Sequence, residues 1–192
     1  MREMMKMVLV LSLICGLSGL TLASLRQATS ERIEEQVLTY VQGPALAQIF
    51  PDVDNNPVKD RMTFQLESGP VTIFPGFKDG KLTSVAFETL GKGYGGDIGV
   101  LVGLSTIEEE LRGIGITMHK ETPGLGAKIV EQAFRSQFVG HTTKAVKLEK
   151  DGGDIAAIAG ATSSSTGTVF AINQAIRIFK NLKGKLSDTW GS

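Results

Sequence analysis

Gly91-Lys92-Gly93-Tyr94-Gly95-Gly96-Asp97-Ile98-Gly99-Val100-Leu101-Val102 is the stretch on which the fold turns. Its first six residues spell G-x-G-x-x-G, the glycine pattern of a dinucleotide-binding turn. Such a turn works only between a strand and a helix, because the pyrophosphate rests on the helix N-terminus. Here Asp97–Val102 continues as a short apolar run rich in branched side chains, which reads as another strand. A dinucleotide fold is therefore excluded by context. The glycines either serve a plain strand connection or admit a flat ligand against bare backbone.

The flanking sequence agrees with a sheet. Residues 62–118 read as mainly β. Val71–Phe74 and Leu82–Phe87 flank Lys78-Asp79-Gly80-Lys81, whose Asp-Gly pair suits a two-residue hairpin. Ile98–Leu104 and Ile114–Met118 are further strand candidates, and the acidic residues of Thr106–Arg112 suggest a helical turn between them. Beyond the sheet, Lys128–Phe134 reads as a short helix with Ile129, Val130 and Ala133 inward, and Ala145–Leu148 as another strand. A last helix starts near Ser163, with Val169, Ile172, Ile176 and Phe179 on one face. Strands first, then helix, strand and helix, predict an α+β domain with an antiparallel sheet and flanking helices.

Before the sheet, an uncharged run extends from Met7 to Leu25. Nineteen helical residues span about 28 Å, close to the ~30 Å of a bilayer's hydrocarbon core. Thr21-Leu22-Ala23 would serve as a signal-peptide cleavage site, but the long span favours a retained anchor. Ile14 before Cys15 argues against a lipoprotein. Arg2 and Lys6 before the span, against Arg26 and Arg32 mixed with Glu31, Glu34 and Glu35 after it, favour a cytoplasmic N-terminus. Thr29-Ser30-Glu31 is a candidate cap for a second helix carrying Ile33, Val37, Tyr40 and Val41, broken by Gly43-Pro44, with another short helical turn over Ala45–Phe50. The expected organisation is a cytoplasmic tail (1–6), a transmembrane helix (7–25), a juxtamembrane helical segment (26–56) and a domain over 57–192.

Composition narrows the function. Twenty basic and twenty acidic side chains cancel, which excludes a generally basic nucleic-acid binder. One cysteine excludes an intrachain disulfide framework and Cys-rich metal or iron–sulfur sites. Two histidines, His119 and His141, offer little for a metal cluster and no nucleophile–base constellation for a hydrolase. Glycine is in excess: 23 of 192 residues, about 12% against a usual ~7%.

Two further glycine segments carry the excess. Glu121-Thr122-Pro123-Gly124-Leu125-Gly126 holds a Pro-Gly pair suited to a type II turn. Gly160-Ala161-Thr162-Ser163-Ser164-Ser165-Thr166 stands where the last helix begins, and the unpaired amides of a helix N-terminus attract an anion. Either segment alone is an ordinary turn or cap. Together, the anchor, GKGYGG before IGVLVG, HKETPGLG, and DGGD-x4-AGAT before a terminal helix resemble the FMN-binding domain of the G subunit of the Rnf electron-transport complex. A relative with the same arrangement is the C subunit of the sodium-pumping NADH:quinone oxidoreductase. The resemblance covers nearly the whole chain, and the compact length favours the Rnf family.

The resemblance implies FMN joined through its phosphate to Thr162 by a flavin transferase that uses FAD. It implies that Glu121, Thr122, Gly124, Leu125 and Gly126 form a turn against the isoalloxazine. Gly160, Ala161 and Ser163 would surround the phosphate, and Tyr94 and Gly95 would line the pocket. It further implies an electron-transfer component rather than a stand-alone enzyme, in the cytoplasmic (inner) membrane, single-pass, with the FMN domain on the extracytoplasmic side. Other membrane subunits of an ion-translocating ferredoxin:NAD oxidoreductase would be its partners. The sequence departs from the motif at Ala159, where Ser or Thr is common, and at Ala156, where an acid is frequent. Ser163, Ser164, Ser165 and Thr166 remain alternative acceptors. The rival readings are the quinone-reductase component, and a membrane-anchored binding or assembly module whose GAT segment is only a cap.

Overall fold

The computed structural model describes residues 1–66 and 69–190, with the backbone alone for Glu31 and Ser187. The chain divides into two compact units, Met1–Leu38 and Thr39–Ser192. The first unit is one helix, α1 (Arg2–Val37). Over Arg2–Ser30 it is long and apolar enough to cross a membrane, and none of its most apolar window is buried within the protein. The cap expected at Thr29-Ser30 does not form. Both hydroxyls instead donate back to carbonyls of the preceding turn, Thr29 to Leu25 and Ser30 to Gln27, so the helix continues. Ile33 and Tyr40 are exposed, and no buried stripe runs along the expected second helix.

A single π-turn, Leu38–Gln42, precedes α2 (Gly43–Ile49). Gly43-Pro44 stands in the first turn of this helix instead of ending one, a position proline tolerates. Five strands come next, as an antiparallel meander in sequence order: β1 (Met62–Leu66), β2 (Gly69–Lys78), β3 (Lys81–Lys92), β4 (Asp97–Ser105) and β5 (Leu111–Met118). The β2–β3 turn is the expected two-residue one, with Asp79 at φ 50° and Gly80 at φ 73° between paired Lys78 and Lys81. The decisive stretch is also a hairpin. Lys92 pairs with Asp97, and the loop 93–96 is closed by the Gly93 N–H donating to the Gly96 carbonyl at 2.8 Å.

Both sheet faces are covered. On one, Val85, Phe87, Val100, Val102 and Ile114 pack with Ala171, Ile172, Ala175, Ile176 and Phe179 of the last helix, α4 (Thr162–Trp190). Each of the larger side chains contributes roughly 1.5–3 kcal/mol by leaving water. Near the far end of α4, Trp190 meets Phe64 of β1 edge-on at 5.5 Å. On the other face Leu46, Ile49 and Phe50 are buried, and Gly103 lets Ile49 approach: a Cβ there would stand 2.1 Å from its Cγ2.

Three local expectations are corrected. Residues 106–110 form a turn, not a helical one: the Ser105 hydroxyl oxygen accepts from the Ile107 and Glu108 amides. Lys128–Phe134 is interrupted, with a 3-10 turn (Gly126–Val130) and a single α-turn, α3 (Gln132–Arg135), separated by extended Glu131. Ile129 and Phe134 point inward, while Val130 and Ala133 are exposed. Ala145–Leu148 joins no strand. Leu148 makes one bridge to Ile155, and Asn173 of α4 binds both the N–H and the C=O of Val146, at 2.8 and 2.9 Å.

Candidate functional site

The three glycine segments converge at one end of the sheet, and the glycines are what allow it. At Gly91 a Cβ would lie 1.9 Å from the Gly167 carbonyl oxygen, and at Gly167 it would lie 2.5 Å from that of Lys92. Two bare backbones thus let the first turns of α4 sit directly on β3. Gly95 lies as close to the next segment, since its Cβ would stand 2.0 Å from the Lys120 carbonyl oxygen.

Glu121 joins all three segments. Its side chain is buried although carboxylates usually face water. One oxygen accepts from the Gly95 amide at 2.8 Å, and the other accepts a short hydrogen bond from the Ser164 hydroxyl in the first turn of α4. Its own amide donates to His119 Nδ1 at 3.3 Å. Cβ atoms at Gly93 or Gly126 would collide with the carboxylate.

The turn after Glu121 has its expected form. Pro123 occupies the second position and Gly124, at φ +76°, the third, while the Leu125 amide donates to the Thr122 carbonyl at 3.2 Å. Thr122, Gly124 and Leu125 are exposed, and Gly126 is buried. The Leu125 side chain stands against Gly160, where a Cβ would be 3.4 Å from its Cδ2. Gly160 has φ +75°, the left-handed conformation that lets the chain enter α4 abruptly. Ala161 is buried there and accepts the first helical bond, from the Ser165 amide.

The hydroxyl series at this helix start divides by access. Thr162, Ser163 and Thr166 are exposed. Ser164 is held by Glu121, while Ser165, wholly buried, accepts from the Ile158 amide at 3.0 Å and donates to the Ala161 carbonyl at 3.2 Å. Tyr94 is 81% exposed at the rim of the hairpin loop and Leu125 is 47% exposed, two side chains left open to solvent beside the turn. The inward roles of Ser164, Ser165, Gly93 and Gly167 escaped sequence reasoning. Extending the buried stripe of α4 backward from Ile172 through Thr168 to Ser164, four residues at a time, would have placed Ser164 inward.

This arrangement suits a flat, phosphate-bearing ligand. The first amides of a 29-residue helix, an exposed hydroxyl at its first position and a turn with bare backbone at Gly124 and an exposed Leu125 offer an anion site, a hydroxyl and an apolar contact. Residues 93–177 match the FMN-binding domain family, a range that begins in the hairpin loop, takes in the Pro-Gly turn and ends on α4. The G subunit of the ion-translocating oxidoreductase complex of Cereibacter sphaeroides is 31% identical over 93% of this chain and 85% of its own length. This chain belongs to the RnfG family. Another RnfG relative, from the proton-translocating ferredoxin:NAD(+) oxidoreductase complex of Clostridium ljungdahlii, is 28% identical over 86% of both chains. NqrC from Shewanella oneidensis shares the fold, with a TM-score of 0.55 at 22% identity over 72% of this chain and 73% of that one. As an RnfG protein with an FMN-binding domain, the chain pairs an α+β fold with an N-terminal helix of membrane-spanning length.

Proposed function

We propose that this RnfG protein is a membrane-anchored electron carrier holding FMN covalently on Thr162, within an ion-translocating ferredoxin:NAD oxidoreductase complex. The observation that carries the reading is the exposed Thr162 at the start of α4, next to Gly160 against which Leu125 of the Pro-Gly turn rests. When bound, FMN supplies reversible electron transfer, and the protein sets its environment. A transferase-catalysed attachment would join the Thr162 oxygen to the FMN phosphorus of FAD, break the phosphoanhydride, release AMP and free the hydroxyl proton. The resulting phosphodiester carries one negative charge, which the first amides of α4 and the helix dipole stabilise.

Thr122, Gly124, Leu125 and Gly126 would lie against the ring system, with Tyr94 and Gly95 at its rim and Gly160, Ala161 and Ser163 about the phosphate. The span within 7–25 would leave 1–6 in the cytoplasm and the flavin domain, within 57–192, on the extracytoplasmic side. There a tether prevents loss of a cofactor that could not readily be replaced, and it keeps local concentration high beside neighbouring membrane proteins of the complex.

Co-expression with a flavin transferase, followed by denaturing electrophoresis under ultraviolet light, tests the reading. The band is expected to fluoresce, and Thr162→Ala is expected to abolish the signal. Peptide mapping separates Thr162 from the other exposed acceptors, Ser163 and Thr166. Flavin retained in Thr162→Ala overturns the assignment, and a colourless wild-type band returns the chain to a binding or assembly module.

A further inference from the structure

We propose that Glu121 is a positioning residue which closes the flavin cradle before the cofactor arrives, by clamping the hairpin loop to the first turn of α4. The proposal rests on the FMN reading above for what the cradle holds, but its geometry stands without any ligand. Glu121 is 5% exposed and faces away from solvent, toward Gly95 on one side and Ser164 on the other. Thr122, Gly124 and Leu125, just beyond it in the chain, are all exposed. The carboxylate therefore lies beneath the turn instead of on the surface that would meet a ring. Among the described residues, no cation stands within ion-pair distance of it. Its two oxygens accept from one amide and one hydroxyl.

Three independent segments meet at this one side chain. Without it the Gly95 amide and the Ser164 hydroxyl lose their shared acceptor, and the space enforced by Gly93 and Gly126 becomes empty. Ser164 stands two residues after Thr162 on the same helical turn, so the clamp fixes the position of the acceptor hydroxyl relative to the Pro-Gly turn. Reach matters more than charge here. Glutamine has the same length and still accepts from the Gly95 amide while its NH2 group meets the Ser164 oxygen. Aspartate keeps the charge but is one methylene too short to span both partners.

The test uses the full chain in detergent, a flavin transferase and FAD, with in-gel flavin fluorescence giving the initial rate of covalent incorporation. Hydrogen exchange of the Gly95 amide is followed in parallel on the flavin-free protein. Glu121→Ala and Glu121→Asp are expected to slow incorporation by about tenfold to a hundredfold, as misplaced reacting groups do, whereas Glu121→Gln stays within about threefold of wild type. Gly95 protection is expected to be lost in the first two and kept in the third. Ser164→Ala removes half of the clamp without touching Glu121, and in the Glu121→Ala background it is expected to add no further slowing.

Wild-type incorporation and protection in Glu121→Ala would overturn the clamp. So would a Glu121→Gln variant as impaired as Glu121→Ala, since that result makes charge the operative property. If Glu121→Ala does not fold, Glu121→Asp against Glu121→Gln makes the same distinction. A wild-type chain that takes up no flavin defeats the FMN reading instead, and Gly95 exchange across the variants then decides the clamp by itself.

Discussion

Hydroxyl and carboxyl groups in this domain take their roles from the partners that folding gives them. The five hydroxyl residues from Thr162 to Thr166 are chemically near-equivalent, yet burial sets Ser164 and Ser165 apart from the exposed three. The Ser165 hydroxyl oxygen also accepts, from within α4, the Ile158 amide of the loop before Ala159. Asp52 shows the same dependence at the surface. A hydrogen bond from Arg112, at 2.6 Å, with the charges of Arg112 and Lys78, holds its carboxyl below the ordinary value. Such a lowered group stabilises the fold at pH values above the unfolded pKa and ceases to do so as pH falls through the folded one. Asp52→Asn is therefore expected to lower stability at pH 7 by only about 0.2–1 kcal/mol, because the side chain is 40% exposed and solvent screens the pair. Urea titrations should show the difference between wild type and variant vanishing as pH falls below about 4.

For strands and helices, the closest constraint is the contact of two glycines. Gly91 of β3 and Gly167 of α4 leave no room for a methyl group between them. Gly91→Ala is expected to push α4 outward and to cost about 1–3 kcal/mol or more, read as a Tm lower by about 2–12 °C or more. Flavin incorporation should fall with it, because Thr162 lies about one and a half turns before Gly167. Periodicity made α4 and the hairpins readable. Residue type misled at Thr106–Arg112, read from its acidic residues, and an apolar run misled at Ala145–Leu148; single side chains satisfy the backbone in both: Ser105 in one turn, and Asn173, 27 residues away from Val146, in the other segment. A strand-like composition does not produce a strand when a helix side chain has taken its hydrogen bonds.

The two units differ in what they can bury. Unit Thr39–Ser192 has a core on each side of its sheet, whereas the apolar side chains of α1 over its membrane-length span are exposed. A fragment beginning at Thr39 is expected to stay in solution without detergent and to unfold in one cooperative transition, whereas the full chain should partition into detergent micelles. Differential scanning calorimetry and phase separation check both expectations, and aggregation of the fragment would show that its core depends on α1. The long apolar N-terminal helix, the Asp-Gly hairpin, the amphipathic last helix and the rejection of a dinucleotide turn were all legible in sequence. Each rests on local chemistry: apolar length, positive φ at a turn, helical spacing and the residue types that succeed a glycine run. Tertiary structure alone decided that Glu121 is buried, that Ser164 faces it across 43 positions of sequence, and that three glycine segments share one end of the sheet. No periodicity reports those facts, because they arise from backbone surfaces brought together by folding, at distances only glycine permits.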